Sequence, residues 1–129
     1  MTQEEKELLL KDLCTRLPYG VVIHTYYNKP IDIKCTGCDL FANTVNLDIP
    51  NDDEAKVYVE NVRPYLRPMS SMTEEERTEW MNITHAQNWL IISNLDKAIY
   101  WLNAHHFDFR GLIERGLAIE APKDMYKNE

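Results

Sequence analysis

The 129-residue sequence has few cysteines and no long apolar segment. No apolar run approaches the roughly 18–20 residues that a membrane span requires, so we expect no transmembrane helix. The first residues are acidic and are followed by only three leucines, a pattern that predicts no secretory signal. Three cysteines without such a signal do not indicate a disulfide framework, and we therefore expect a cytoplasmic protein with reduced thiols.

Basic residues are also scarce. Lys and Arg number 14 against 21 Asp and Glu, which gives a net charge of −7. Residues 1–72 hold 8 basic and 11 acidic residues, and residues 73–129 hold 6 and 10, so neither half offers a basic face. Because nucleic-acid backbones and anionic membranes attract Lys and Arg, this composition argues against both as partners.

Catalytic motifs are absent from the sequence as well. It contains no serine in a nucleophile elbow and no glycine-rich loop for phosphate, so we predict no catalytic residue and no cofactor. What is present is ordinary for a globular domain, with 44% hydrophobic and 27% charged residues. The length suits one domain, or one small domain with an appendage.

The N-terminal segment has the pattern of a capped helix. Thr2 and Glu5 have the spacing of a capping box, in which each side chain binds the free backbone amide of the other residue. Apolar residues then recur at three- and four-residue steps, and Pro18 and Gly20 follow as helix terminators. The pattern predicts a helix over residues 2–16.

Between residues 21 and 62 the apolar period changes to two, which is typical of strands. Apolar and polar residues alternate over residues 21–27, 31–35, 45–49 and 57–62, and turn residues lie between these runs. Short strands without a crossover helix predict an antiparallel sheet, either a small curled sheet or an SH3-like barrel.

Residues 63–72 contain two prolines four positions apart, which predicts a connector with neither a regular helix nor a central strand. Thr73 and Glu76 then form a second capping box, and the helix they begin is predicted to reach about Ile83.

The most regular helical spacing follows a polar stretch after residue 84. Apolar residues at helical steps predict a helix from about residue 88 to 105. Ser93 and Asn94 offer an alternative, because they could cap a shorter helix and leave residues 90–92 as a short strand. This pattern does not decide whether residues 84–94 form helix, strand or loop.

Together these patterns predict an α+β fold. An N-terminal helix and a small antiparallel SH3-like sheet or barrel occupy residues 1–68, and a helical C-terminal portion packs on them over residues 69–122 in one compact unit. Pro122 ends the ordered structure, and residues 123–129 are predicted to be a loose tail.

Cys35 and Cys38 have the C-x-x-C spacing that lets two thiolates bind one zinc ion or form a redox pair. A structural zinc site needs four ligands, and neither Cys14 nor His24 comes with a second paired motif. We therefore favour two reduced cysteines in or beside a strand, with Gly37 making a bend.

A second candidate for metal binding or acid–base chemistry consists of His105, His106 and Asp108. Adjacent helical residues point about 100° apart, so both histidines cannot easily reach one ion. We favour a helix C-terminus, where histidine binds free carbonyl groups and Asp108 and Arg110 tie the following turn. The prediction is that the chain has no metal site.

Aromatic residues concentrate around the predicted sheet, and Tyr26, Tyr58 and Tyr65 are the candidates for a contact with a protein partner. The same aromatics could stack on bases. That alternative would take its positive charge from the arginines of the central and C-terminal segments, which are Arg63, Arg67 and Arg110.

Three segments together resemble a known family. They are Glu5–Gly20 (EKELLLKDLCTRLPYG), Val62–Glu76 (VRPYLRPMSSMTEEE) and Trp101–Pro122 (WLNAHHFDFRGLIERGLAIEAP). They are similar to short uncharacterised proteins of prophages and other mobile regions in gut Bacteroides-type bacteria. The resemblance implies a bacterial or phage origin, an intracellular setting and a compact accessory protein, and it implies no catalytic or binding residue.

The resulting hypothesis is a non-enzymatic accessory protein of phage or mobile-element origin, located in the bacterial cytoplasm, that acts as a protein–protein interaction module with an unidentified partner. One alternative is a nucleic-acid-associated module of a mobile element. Another is a small metal-dependent enzyme built on His105, His106 and Asp108.

Overall fold

The computed structural model of the chain describes residues 1–85 and 91–126. Its three α-helices are α1 (Gln3–Arg16), α2 (Glu74–Thr84) and α3 (Ile91–Ala104). Its six strands are β1 (Val22–Tyr26), β2 (Pro30–Asp39), β3 (Thr44–Leu47), β4 (Lys56–Tyr58), β5 (Arg63–Leu66) and β6 (Ile119–Glu120). Across these residues no helix has both the length and the apolar character needed to cross a bilayer.

The six strands form one sheet in the order β4-β3-β2-β1-β5-β6. Neighbouring strands are antiparallel except β5 and β6, which are parallel. The α+β prediction is thus confirmed, with an N-terminal helix, a mostly antiparallel sheet and two further helices. The sheet is open, with β4 and β6 at its edges, so the closed SH3-like barrel is not confirmed.

Both predicted capping boxes are present at the helix starts. The Thr2 hydroxyl accepts a hydrogen bond from the Glu5 amide at 3.1 Å, and the Glu5 carboxylate accepts one from the Thr2 amide at 2.8 Å. Thr73 and Glu76 repeat this arrangement at α2, with distances of 3.1 and 2.9 Å. These local patterns in the sequence therefore predicted the capping residue of both helices correctly.

The start of α3 decides between the two alternatives for this helix. Because α3 already includes Ile91, the shorter helix capped by Ser93 and Asn94 is wrong. The predicted start near residue 88 lies outside the described residues.

The segment predicted as a connector contains β5, and this prediction is wrong. Pro64 of β5 pairs with Ile23 of β1, although proline cannot donate a ladder hydrogen bond. The pairing of β5 with β1 spans two residues, and the pairing with β6 begins only at Tyr65, after the proline. One missing donor is therefore tolerated inside the sheet. The predicted strand over residues 57–62 is also too long, since β4 ends at Tyr58 and a 3₁₀ turn follows.

The apolar core lies between α1 and the inner face of the sheet. Leu9, Leu10 and Leu13 are the residues of α1 that are almost fully buried there. They pack with buried residues from the strands, their connections and the C-terminal segment, which include Val21, Ile23, Val45, Val59, Val62, Leu66 and Leu112.

A buried ion pair joins α1 to the C-terminal segment. The side chains of Asp12 and Arg16 are both 0% exposed, and Arg16 Nε and Nη2 donate to the two Asp12 oxygens at 2.9 and 3.0 Å. Arg16 Nη2 also donates to the carbonyl oxygen of Phe107 at 2.7 Å, and Arg110 Nη1 donates to Asp12 Oδ1 at 2.6 Å. We call these four residues the Asp12 cluster. It supplies partners for charges that would be costly to bury alone.

The chain beyond Pro122 is anchored through Tyr126, which contradicts the predicted loose tail at this point. The Tyr126 hydroxyl accepts a hydrogen bond from the Val22 amide at 2.9 Å and donates one to the Tyr65 carbonyl at 2.6 Å. Its ring stacks on His106, with 3.9 Å between ring centroids. Sequence periodicity misses this anchor because it depends on one side chain. Residues 127–129 lie outside the described residues.

We predict that Asp12→Ala lowers the free energy of unfolding by roughly 3–5 kcal/mol, because it leaves the Arg16 charge buried without its carboxylate. Urea denaturation followed by tryptophan fluorescence measures this loss. Asp53→Ala, in an exposed turn, is the control and should change stability by about 0.5 kcal/mol or less. A loss below about 1 kcal/mol for Asp12→Ala would show that the cluster does not hold α1 to the C-terminal segment.

We predict that Tyr126→Phe costs about 1–3 kcal/mol of unfolding free energy, because the Val22 amide and the Tyr65 carbonyl each lose a hydrogen-bond partner. The same denaturation assay tests it. Tyr100→Phe removes a hydroxyl from a side chain that is 59% exposed and serves as the matched control. Equal effects of the two variants would contradict the anchoring role of Tyr126.

Candidate interaction site

Two of the three residues of the metal hypothesis have separate structural partners. His105 Nδ1 lies 3.2 Å from Glu76 Oε2 on α2. The Asp108 carboxylate instead accepts hydrogen bonds from the amides of Leu112 and Ile113 at 2.8 and 2.9 Å. Asp108 therefore binds the following turn, as predicted, whereas Arg110 binds Asp12 rather than this turn.

The third residue, His106, lies in the interior and is 2% exposed. Its backbone has a φ of 60°, and its Nε2 donates to the carbonyl oxygen of Tyr19 at 2.9 Å. Burial lowers the pKa of His106 to about 4, so the ring is neutral at neutral pH. The side chains of His105, His106 and Asp108 thus have three different sets of partners.

The cysteines of the C-x-x-C motif both lie in β2. Cys35 is buried, Cys38 is half-buried, and Cys14 of α1 lies beside them, all three as free thiols. Within residues 1–85 and 91–126, no group of three or more His, Cys, Asp or Glu side chains is arranged to hold a metal ion. Neither metal candidate of the sequence is therefore assembled as a site in the described structure.

The three arginines of the nucleic-acid alternative do not share a face. Arg67 donates to both carboxylate oxygens of Glu76 at 2.7 Å, and these hydrogen bonds lower the pKa of Glu76 to about 2. Arg110 belongs to the Asp12 cluster. Arg63 is exposed on β5. Two of the three positive charges are therefore already paired within the protein.

The three candidate tyrosines lie on different strands and do not form one patch. Tyr26 pairs with Pro30 at the start of β2, whereas Tyr58 on β4 lies level with Asp39 at the end of β2. Pro30 and Asp39 are the two ends of the ten-residue strand β2, so these two positions are roughly 30 Å apart along it at about 3.3 Å per residue. Tyr65, on β5, is half-buried.

The Tyr65 hydroxyl is also occupied within the protein. It donates to Asp32 Oδ1 at 2.9 Å, and His24 Nδ1 donates to the same oxygen at 2.7 Å. These hydrogen bonds, from His24 above all, lower the pKa of Asp32. The three side chains stabilise one another across β5, β1 and β2, which makes Tyr65 less available to a partner than Tyr26 or Tyr58.

Of the described residues, the most exposed large apolar side chain is Phe41, in the turn between β2 and β3, while Leu95, Ile99 and Tyr100 on α3 are also exposed. Phe41 is 99% exposed and Leu40 is 59% exposed, and Tyr58 beside this end of the sheet is 60% exposed. We call Leu40, Phe41 and Tyr58 the apolar tip. The sequence prediction included Tyr58 but missed Leu40 and Phe41. The available signal was a pair of large apolar residues between Asp39 and Asn43, two residue types that favour turns.

Side-chain and backbone hydrogen bonds hold this turn. The Asp39 carboxylate accepts hydrogen bonds from the amides of Phe41 and Ala42, both at 3.0 Å. Asn43 takes a left-handed conformation with φ of 57°, and its carbonyl accepts a hydrogen bond from the Val59 amide at 2.9 Å. Phe41 therefore projects into solvent from a defined backbone.

A shallow depression of about 450 Å³ lies along α2 and is lined by Glu74, Arg77, Thr78, Met81 and Asn82. None of the candidate residues from the sequence lines it. The Glu74 carboxylate and the Arg77 guanidinium lie on one exposed face of α2. The depression therefore does not bring together groups from different parts of the fold.

No protein-family model, curated protein or solved structure matches this chain. The geometry described above therefore carries the functional interpretation, and the apolar tip is the candidate site that it supports best.

The buried neutral His106 predicts a loss of stability in acid. Its folded pKa of about 4 lies below the unfolded value of 6.5, so its contribution is complete above pH 6.5 and is lost as the pH falls from 6.5 to about 4. The loss is about 3 kcal/mol. Urea denaturation at several pH values measures it. His106→Asn, which tolerates the left-handed backbone, should remove this part of the pH dependence.

The control for this experiment is His85→Asn, which replaces an exposed histidine and should keep the wild-type profile. If His106→Asn and wild type lose stability in parallel between pH 6.5 and 4, His106 is not the group responsible.

Proposed function

We propose that this protein is a non-enzymatic accessory protein that binds another protein through the apolar tip. The observation that carries the proposal is the 99% exposure of Phe41 on a turn held by hydrogen bonds. A large aromatic side chain in water is unfavourable, and burying it in a partner would contribute roughly 1.5–3 kcal/mol.

The fixed turn supports binding in a second way. An interface must order the side chains and loops that form it, and each immobilised side chain costs roughly 0.5–1.5 kcal/mol. The hydrogen bonds to the Asp39 carboxylate and to the Asn43 carbonyl already order the backbone of this turn. Binding therefore has to restrict the Phe41 side chain but not the backbone that carries it.

The size of the tip indicates the kind of partner. Aromatic side chains bury about 150–250 Å² each, so three apolar side chains cover a few hundred Å². A stable interface buries about 800 Å² on each partner. The tip is therefore the anchor of a wider contact, and the occupant we propose is a different protein with an apolar pocket that admits the Phe41 ring. A second copy held by the tip alone would bury too little surface.

The same proposal includes an origin in a phage or mobile element, a cytoplasmic location and an SH3-like character of the sheet. The first two rest on the three segments that resemble prophage proteins, and the third on the antiparallel run of β1 to β4 with β5 returning beside β1. The nucleic-acid alternative has less support, because Arg67 and Arg110 are bound to Glu76 and Asp12.

The test is a comparison of Phe41→Asp with wild type. Both proteins are immobilised and exposed to a lysate of a gut Bacteroides-type bacterium, and proteins retained by wild type are identified, purified and titrated by calorimetry. Loss of a central aromatic contact of 2 kcal/mol or more corresponds to a Kd increased by at least about thirtyfold. Tyr100→Asp, at an exposed site on α3, is the matched control and should bind like wild type.

Two results would count against the proposal. One is a purified partner that binds wild type and Phe41→Asp with equal Kd while both variants remain folded by circular dichroism. The other is self-association of wild type in analytical ultracentrifugation that Phe41→Asp abolishes, which would make the tip a contact between copies of this chain.

A further inference from the structure

The C-x-x-C motif lies across a β-bulge in β2. The register between β2 and β3 pairs Cys35 with Leu47 and Cys38 with Val45, and it shifts between Cys35 and Gly37. Three steps along β2 therefore correspond to only two steps along β3. Because side chains alternate between faces at each step of a strand, the bulge turns both cysteines toward the same face.

This face is the inner one, where Leu47 and Val45 are buried. In a regular strand, residues three apart point to opposite faces and lie about 10 Å apart, too far for a disulfide. With the bulge, the two cysteines are spaced like residues two apart, at roughly 6–7 Å, which is within the range of disulfide-bonded residues.

The absence of a side chain at Gly37 permits the bulge. A Cβ atom at Gly37 would lie 3.0 Å from Nδ2 of Asn46, the residue paired with it on β3. A larger residue at this position would require the Asn46 side chain to shift by a few tenths of an ångström.

The thiols also lie close to one another. Cys35 Sγ donates a hydrogen bond to the carbonyl oxygen of Gly37 at 3.4 Å. The Cys38 thiol is near enough to Cys35 and to Cys14 of α1 to influence the pKa of each. Cys35 is 3% exposed, whereas Cys38 is half-buried and reaches the surface. Cys38 is therefore the more accessible thiol of the pair, and Cys35 is shielded from solvent.

We propose that Cys35 and Cys38 form a redox modification site, in which a low-molecular-weight disulfide such as oxidised glutathione converts the two thiols to an intramolecular disulfide across the bulge. This inference does not depend on the proposed protein binding.

The reaction proceeds in two exchanges. The Cys38 sulfur attacks one sulfur of oxidised glutathione, a mixed disulfide forms, and the first glutathione leaves as a thiol with the proton of Cys38. The Cys35 sulfur then attacks the Cys38 sulfur, the bond to glutathione breaks, and the second glutathione leaves with the proton of Cys35. Two protein thiols are oxidised to one disulfide, and one glutathione disulfide is reduced to two thiols.

The protonation states of the thiols affect the rate of the reaction. The neighbouring Cys35 and burial raise the pKa of Cys38, so its thiolate is scarce at neutral pH and the first exchange is slow. The Cys38 thiol lowers the pKa of Cys35 in the reduced protein, an effect that ends when the Cys38 sulfur enters the mixed disulfide. Burial raises the pKa of Cys14 to about 11. Cys14 lies on α1, outside the bulge that brings Cys35 and Cys38 together, so we expect it to remain a thiol when the pair is oxidised.

The experiment equilibrates the folded protein with defined ratios of oxidised and reduced glutathione, blocks free thiols with iodoacetamide in denaturant, and analyses tryptic peptides by mass spectrometry. Cleavage after Lys34 and Lys56 places both cysteines on the peptide Cys35–Lys56, and Cys14 falls on the separate peptide Asp12–Arg16. We expect the first peptide to be unalkylated and lighter by two hydrogens, and the second to be alkylated.

The isolated peptide Cys35–Lys56 is the matched control, because it has the same two cysteines without the bulge. We expect the folded protein to form the disulfide with an equilibrium constant at least tenfold higher than that of the peptide. Cys14→Ser should keep this result, and Cys38→Ser should abolish the loss of two hydrogens. Circular dichroism confirms that the oxidised protein is still folded.

Four outcomes would overturn the proposal: a disulfide between Cys14 and Cys38, a disulfide between two molecules, a stable glutathione adduct without ring closure, or an equilibrium constant no higher than that of the peptide.

Discussion

The buried pair of Asp12 and Arg16 is the constraint on which the arrangement of the whole chain depends. Two charged side chains with no exposure are stable only when every charge has a partner, because desolvation of an unpaired ion costs several kcal/mol. The remaining partners are Arg110 and the carbonyl of Phe107, nearly a hundred residues further along the chain. The first helix can therefore be buried only when the C-terminal segment is in place.

The same C-terminal segment completes the sheet. It supplies β6 beside β5, places the Phe107 ring in the interior, and brings Tyr126 to the amide of Val22. Arg67 links this region to α2, since its guanidinium lies 4.2 Å from the Phe107 ring centre while it binds Glu76. The first, central and last parts of the chain thus meet around Phe107.

The candidate site lies at the end of β2, and the stabilising contacts of the core lie behind the sheet. The apolar tip needs no charge and no cavity, which is why neither composition nor motif spacing indicated Leu40 or Phe41 as a site. The tyrosine prediction was based on aromatic enrichment at interfaces, and that rule does not say which rings share a surface. Only Tyr58 of the three lies at the tip, while the Tyr65 hydroxyl is bound to Asp32. For the C-x-x-C pair, the bend predicted at Gly37 agrees with the register shift between Cys35 and Gly37, but only the strand pairing shows a bulge that turns both cysteines to one face.

The sequence by itself determined the features that depend on neighbours along the chain. The capping boxes at Thr2 and Thr73 and the alternation in β1 to β3 follow from hydrogen bonds and periodicity within a few residues. The tertiary structure decided the features whose partners are distant in sequence. Pro64 lies within the sheet because β5 pairs with β1 at this residue and with β6 immediately after it, and Tyr126 is ordered because β1 and β5 offer it backbone groups. Their free energy comes from contacts that exist only in the folded chain, so no local pattern could indicate them.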